Sequence, residues 1–494
     1  VLHEVQRRHK RISAYLVASS ADEACGLLEE LGPSARVIAG GSDLLLELDR
    51  GDRTGVHTLV DVSALPGAAA ISEDSGRVWL GSGVTHAQVV QSELCRSALT
   101  PLAQACLEVG APQLRNTATV VGNVVTASPA NDTLSALSAL DTVVELLSPS
   151  GRRTVPLAEF VTGYRSVDLR PAELVSRLGV RPLEPDETAM FAKSGLRRAQ
   201  AISVVHLAVR LRRDSLKSGI SDLVVAVGSI GPTVEAFDDL AGLASEEGLS
   251  EAAMDEIASA AAARVNPMDD LRATAQYRKT VLRVMLRRVL HCLASGDPLA
   301  AWPAQPPTLA VAGSHWRPHT GRRGDGQAQR DDPAAQGRRT GSRLRAEPHP
   351  GPAALPGGGS GSAGGVGSGA PLTMTVNGAA CSGPRDANAT LLDWLRDHAG
   401  TLGVKEGCAE GECGACTVVC NGKAVLACLV AAPRMAGAEV LTVEGLASPS
   451  SLSPVQQAFV DCGAVQCGFC TPGFVMSATA LLKEAPRPSA EQVR

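Results

Sequence analysis

Four cysteines between residues 408 and 428 constrain this chain more than any other feature. They are spaced C-x4-C-x2-C-x11-C: Cys408, Cys413 and Cys416 in the run Gly407-Cys408-Ala409-Glu410-Gly411-Glu412-Cys413-Gly414-Ala415-Cys416, then Cys428. One tight loop supplies three thiolates and a later residue the fourth, the arrangement that wraps a plant-type [2Fe–2S] cluster. Glycines at 407, 411 and 414 let the backbone curl against the cluster and turn N–H groups toward sulfur. A structural zinc site would show paired C-x2-C knuckles. A disulfide framework suits a short secreted chain better than one of 494 residues. An electron carrier is therefore the frame in which the rest is read.

That length allows about three to four domains. A net charge of −5 argues against a general nucleic-acid binder, and no apolar run reaches membrane-spanning length. The start, Arg7-Arg8-His9-Lys10-Arg11, reads as a basic leader into a first strand, because Asp22-Glu23 follow too soon for a signal peptide. Of the thirteen cysteines, six fall in metal-like spacings, while Cys25, Cys95, Cys106 and Cys292 are scattered singly. That distribution suits a reducing cytoplasm.

From the start, a short strand leads to a helix with a capping box, Ser20 and Glu23, and Gly32-Pro33 to stop it. A further strand runs into the turn Ala39-Gly40-Gly41-Ser42-Asp43. Strands are expected at about 56–62 and 77–83, and helices at about 85–96 and 99–110. This irregular order is α+β rather than doubly wound. A double glycine after a strand offers bare N–H groups to a pyrophosphate. A second turn, Thr117 to Asn123 followed by Ala127-Ser128-Pro129-Ala130-Asn131-Asp132, adds groups able to hold phosphates and ribose hydroxyls. Neither a Rossmann G-x-G-x-x-G nor a Walker loop is present.

These segments, Ala39 to Leu44, Thr119 to Asn123 and Ser128 to Asp132, resemble the FAD-binding segments of the flavoprotein subunit of molybdenum hydroxylases, the family of carbon monoxide and xanthine dehydrogenases. The resemblance implies a vanillyl-alcohol-oxidase-type FAD domain of two α+β subdomains. By position it puts Ala39, Gly40, Gly41, Ser42 and Asp43, with Thr119, Val120, Val121, Gly122 and Asn123, around the pyrophosphate. Asp132 would sit near the flavin or its ribityl chain. Where the family commonly has two glycines before the Asn, Val121 replaces the first, which implies a weakened or shifted phosphate contact.

The pattern changes near Phe191. The apolar stretch Ala201–Leu211, a strand at Leu223–Ser229 and helices at about 251–264 and 270–293 resemble the small α/β C-terminal domain of the same flavoproteins. The basic run Arg278, Lys279, Arg283, Arg287 and Arg288 reads as the solvated face of the last helix. Pro, Gly, Ala, Ser and Arg then dominate from about 296 to 370, the composition of a flexible linker. Order is expected again from Leu372: a strand and hairpin, a helix at Thr390–His398, the cysteine loop and a hairpin at Val418–Lys423. This succession matches the β-grasp shape of plant-type ferredoxins, and Cys381 and Cys420 fall off its ligand spacing.

After a helix at Pro454–Val460, Gln466-Cys467-Gly468-Phe469-Cys470-Thr471-Pro472-Gly473 opens another. A C-x2-C at a helix start is open to three readings: redox dithiol, half a zinc site, or half a second cluster. The family resemblance implies the last, in a helical bundle whose later helix brings a C-x-C. None follows before Arg494, and a cluster on Cys467 and Cys470 alone is not stable. A truncation before the second pair is the favoured expectation, over ligands from a partner or no second cluster.

The expected division is an FAD domain at 12–186, a flavoprotein C-terminal domain at 187–295, a linker at 296–370, a ferredoxin-type domain at 371–448 and a partial helical cluster domain at 449–494. The implied function is the electron-transfer component of a molybdenum hydroxylase. A separate molybdopterin-containing large subunit would act on the substrate, and NAD, oxygen or a quinone would be the external acceptor. The alternatives are a stand-alone flavin–ferredoxin reductase, against which no nicotinamide motif is seen, and a non-catalytic fusion remnant.

Overall fold

The computed structural model describes residues 11–213, 219–244, 248–295, 303, 306–311, 370–448 and 450–493. The basic start at 7–10, the arginine-rich stretch 317–345 and Gly357–Gly369 lie outside them. Among the described residues no helix is long and apolar enough to cross a membrane.

Ala14–Val17, Thr58–Asp61 and Ala35–Ile38 form a three-stranded parallel sheet with Thr58–Asp61 in the middle. The helix Ala21–Leu31 begins at Ser20, whose hydroxyl accepts the Glu23 N–H. Only half of the expected capping box forms, because the Glu23 carboxylate bonds Ser19 instead. A five-stranded antiparallel sheet follows, in the order Ile71–Asp74, Arg77–Gly81, Leu174–Val180, Val143–Ser148 and Gly151–Pro156. Its apolar face packs on Leu99, Leu102, Leu137, Leu140 and Phe160, all fully buried. The helix expected at 85–96 is two, His86–Gln91 and Glu93–Ala98. Ser92 ends the first in extended backbone and caps the second, the role for which a serine is better suited than for a helix interior.

The next unit has four antiparallel strands, Glu187–Gly195, Ser203–Arg213, Ile220–Gly228 and Glu235–Phe237. Helices Glu251–Arg264 and Ala275–Ser295 share one core with it. The basic run on the second helix is not uniformly solvated. Arg278 is fully buried: its guanidinium donates to Val204 O at 2.6 Å and Ser229 O at 2.8 Å, and pairs with Asp270. It ties the helix start to the sheet, whereas Arg283, Arg287 and Arg288 are exposed.

The iron–sulfur half is built on a mixed sheet ordered Ala379–Gly383, Leu372–Val376, Glu439–Leu441, Thr417–Cys420 and Lys423–Leu426. Leu372–Val376 and Glu439–Leu441 pair in parallel, as in a β-grasp. The helix Leu391–Asp397, capped by Thr390 with Asp393 closing the box, buries Leu391, Leu392, Trp394 and Leu395 in its core. Helices Pro454–Asp461 and Thr471–Glu484 complete this half.

The two halves touch directly. Leu46 and Leu114 of the first pack against the β-grasp core of the second. Asn388 exchanges two hydrogen bonds with the Ile12 backbone, and Gln113 donates to Ser477 at 2.9 Å. The expected linker also contains a docked piece: Leu309 and Ala310 are buried against the β-grasp sheet.

Candidate flavin and cluster sites

The turn 39–43 and the loop 117–123 face each other across a cleft of about 340 Å³. They approach because Gly40 has no side chain: a Cβ there would lie 2.4 Å from Thr117 O. Gly41 follows at φ +80°, a conformation natural to glycine. Ala39, Gly40, Gly41, Ser42, Asp43, Thr119, Val121, Gly122 and Asn123 all line the cleft. Thr119 caps the helix Val120–Thr126 by accepting the Gly122 N–H at 3.0 Å. Asn123 braces the loop beyond: its Oδ1 accepts the Thr133 hydroxyl, and its backbone O accepts Asn131 Nδ2 at 2.7 Å. Val121 is in helical backbone, so no positive φ demands a glycine there, and its side chain joins the core beneath the wall.

Val120, expected here, and Asp132, expected near the flavin or its ribityl chain, do not line this cleft. Val120 turns into the core and is fully buried. Asp132 is buried elsewhere, its carboxylate bonded to Lys193 Nζ at 2.6 Å and to the Ser203 hydroxyl. It ties the FAD-type part to the following sheet; its neighbour Asn131 lines the cleft.

Arg36, Arg53, Leu114 and His86 line the cleft too, with no motif to announce them. His86 is fully buried, with Nδ1 3.3 Å from Cys106 Sγ. Burial and the nearby Arg115 push its pKa down to about 3, so the imidazole is neutral. Among the described residues its Nε2 has no hydrogen-bond partner. Burial also raises the Asp43 carboxyl above its ordinary value, against the opposing influence of Arg165. A close double-glycine approach, polar loop groups and an orphaned buried nitrogen fit a phosphate-bearing polar ligand such as FAD.

Two of the loop's four cysteines stand together: Cys416 and Cys428 are 3.4 Å apart at sulfur. Cys413 is tied to Cys408 through its backbone, its N–H donating to Cys408 Sγ at 3.4 Å. A binuclear cluster takes four thiolates, two on each iron, and this loop with Cys428 carries four cysteines. Cys408 Sγ accepts the N–H groups of Glu410, Glu412 and Cys413 at 3.2 to 3.4 Å. Burial alone would raise this thiol, but those donors hold it below its ordinary pKa. A Cβ at Gly407 would lie 2.7 Å from Cys413 Sγ.

Cys467 and Cys470 are exposed beside the start of the helix Thr471–Glu484. The helix is set against the cluster loop through Gly473, where a Cβ would lie 2.3 Å from Gly414 O. The cluster loop also meets the flavin half. Arg50 pairs with Glu410 and Arg197 with Glu412, and Gln200 donates to Gly411 O at 3.0 Å. Arg434 Nη1 reaches from the β-grasp domain to the carbonyls of Ala39 and Gly40, in the turn that lines the cleft.

Comparison with known proteins accounts for this pairing of sites. Residues 8–181 match the FAD binding domain in molybdopterin dehydrogenase, and 190–293 the CO dehydrogenase flavoprotein C-terminal domain. Residues 384–461 match a 2Fe-2S iron-sulfur cluster binding domain, and 442–494 a [2Fe-2S] binding domain. The nicotinate dehydrogenase small FeS subunit of Eubacterium barkeri is 45% identical over 122 residues, 25% of this chain and 78% of the relative. An Escherichia coli (strain K12) protein assigned as a xanthine dehydrogenase FAD-binding subunit is 28% identical over 281 residues, 56% of this chain and 94% of that protein. In structure, 59% of the chain superposes on 98% of a chain from a Hydrogenophaga pseudoflava carbon monoxide dehydrogenase lacking the Mo-pyranopterin moiety, with TM-score 0.54 and 25% identity. The chain therefore belongs to the molybdenum hydroxylase family, and carries that family's FAD-binding and [2Fe–2S]-binding electron-transfer modules on one polypeptide.

Proposed function

We propose that this chain works with a separate molybdopterin-containing large subunit, whose substrate electrons leave through the iron–sulfur centres toward FAD and an external acceptor. The observation that carries the reading is contact: the cluster loop and Arg434 touch the half that holds the cleft. Two adjoining redox sites suit a relay. The acceptor would be NAD, oxygen or a quinone, and a reducing cytoplasm would suit the thirteen cysteines, none of them in a disulfide among the described residues.

In this reading FAD is held by Ala39 to Asp43 with Thr119, Val121, Gly122 and Asn123, within a module spanning about 12–186. His86 contributes a neutral imidazole to the same wall. Cys408, Cys413, Cys416 and Cys428 hold the first cluster, and Cys467 and Cys470 offer half the ligands of a second. When bound, the flavin supplies chemistry in one- or two-electron steps and each cluster in single-electron steps. The protein's own part is to fix the sites against each other and to satisfy the thiolates with N–H donors.

Cofactor analysis of purified protein, alone and co-expressed with a molybdopterin subunit, tests this. One FAD, at least one [2Fe–2S] cluster and co-purification with that subunit support the relay. FAD and iron without any affinity for it favour a stand-alone reductase. Protein that binds no flavin contradicts both.

A further inference from the structure

The stretch 306–311 lies outside every matched family segment, beyond the flavoprotein match that ends at 293 and before the iron–sulfur match that begins at 384. It is nevertheless held from three sides. On the β-grasp side, Ala424 N–H donates to Leu309 O at 2.9 Å and Val311 N–H to Gly422 O at 3.0 Å, with Ala310 bridged antiparallel to Lys423. Lys423–Leu426 is an edge of that sheet, so the segment covers backbone groups that an edge strand would otherwise present. From the flavin half, Gln91 Nε2 donates to the Thr308 hydroxyl at 2.8 Å. Asn116 Nδ2 bridges Thr308 O at 2.8 Å and Ala424 O at 2.9 Å, joining both halves through one amide. From the helix Thr471–Glu484, the Glu484 carboxylate accepts the Thr308 hydroxyl at 2.6 Å and the Thr308 and Leu309 N–H groups.

We propose that 306–311 is a docking peptide specific to the fused chain: an intrachain clamp that secures the iron–sulfur half on the flavin half. Its side chains match its pocket. Leu309 is buried among Val419, Ala424, Met476, Ala480 and Leu481. It does so at φ +54°, a conformation that leucine keeps only where its surroundings hold it. Pro306 and Pro307 restrict the chain to extended conformations before it docks, which lowers the entropy lost on binding. Glu484, in the last turn of its helix, gains nothing from the helix dipole, and the clamp's donors satisfy it instead. Sheet edge, helix and the Gln91 and Asn116 side chains thus form one receptor for a peptide carrying a hydroxyl followed by a leucine. This inference is independent of which electron acceptor or molybdenum partner the chain serves.

The test uses the full chain with its cofactors and a site-specific protease sequence inserted within 312–369. After cutting, association of the two halves is followed by sedimentation over a dilution series. The cut wild-type halves should stay together at micromolar concentration. Leu309→Asp should raise their apparent Kd about tenfold or more, and Thr308→Val by a smaller factor, because each removes buried contacts at the clamp. Thr308→Val keeps the side-chain volume and supplies the answer if Leu309→Asp does not fold. Wild-type halves that separate on cutting would overturn the proposal, as would variants whose Kd stays within about twofold of wild type.

Discussion

Gly40 and the four loop cysteines show how far single residues decide what this chain can hold. A methyl at Gly40 would collide with the Thr117 carbonyl, which is backbone and cannot swing away. Gly40→Ala should therefore part the two walls of the cleft and weaken FAD binding by about tenfold or more, read by quenching of flavin fluorescence on titration. Cys416→Ser should remove one ligand of the Cys416–Cys428 pair, with loss of most iron and of the visible cluster absorbance while FAD remains. Both positions were legible in the sequence, because a glycine pair and a fixed cysteine spacing are local signals. Asp132 and Arg278 were not. Each satisfies a partner far along the chain, Lys193 for one and the Val204 and Ser229 carbonyls for the other. No local pattern distinguishes a buried ion pair from a ligand contact, or a buried arginine from the exposed ones further along the same helix.

Among elements, the strand Glu187–Gly195 joins the FAD-type part to the unit that follows. Glu187 has no exposed side-chain surface and meets Arg181, Arg210 and Arg212. Burial would raise its pKa, but the Arg181 pairing, the Glu184 N–H and the two other arginines bring it down to about 2. A depressed carboxylate contributes stability that is full above its unfolded pKa of about 4.3 and is lost as pH falls through the folded value. Thermal melts should fall between about pH 4.5 and pH 2, and Glu187→Gln should flatten that fall while lowering stability at pH 7. In the β-grasp domain, Trp394 is fully buried and its Nε1 donates to Pro384 O. Trp394→Ala should cost about 3–5 kcal/mol by denaturant unfolding. Elements were largely readable where periodicity and caps agreed, as for Leu391–Asp397 and Glu251–Arg264. The helix break at Ser92 and the late start of Ala275–Ser295 were not. In the second case Asp269 and Asp270 anchor a turn that replaces the expected first helical residues.

At the scale of the whole molecule, two families of module lie on one chain and are packed together rather than merely joined. The composition of 296–370 indicated a tether, and nothing in it showed that 306–311 docks, since a six-residue peptide gains its structure from the sheet edge and the helix it meets. The packing puts Arg434 on the carbonyls of the cleft turn and the cluster loop on Gln200, Arg50 and Arg197. The central claim is that the flavin and cluster sites form one intramolecular relay. Its most direct test is the rate of electron exchange between cluster and flavin after rapid partial reduction of the cofactor-loaded chain, followed over a wide dilution series. The account predicts a first-order rate that does not change with protein concentration and that slows in Arg434→Ala with cofactor content intact. A rate proportional to concentration, showing exchange between molecules rather than within one, would contradict it.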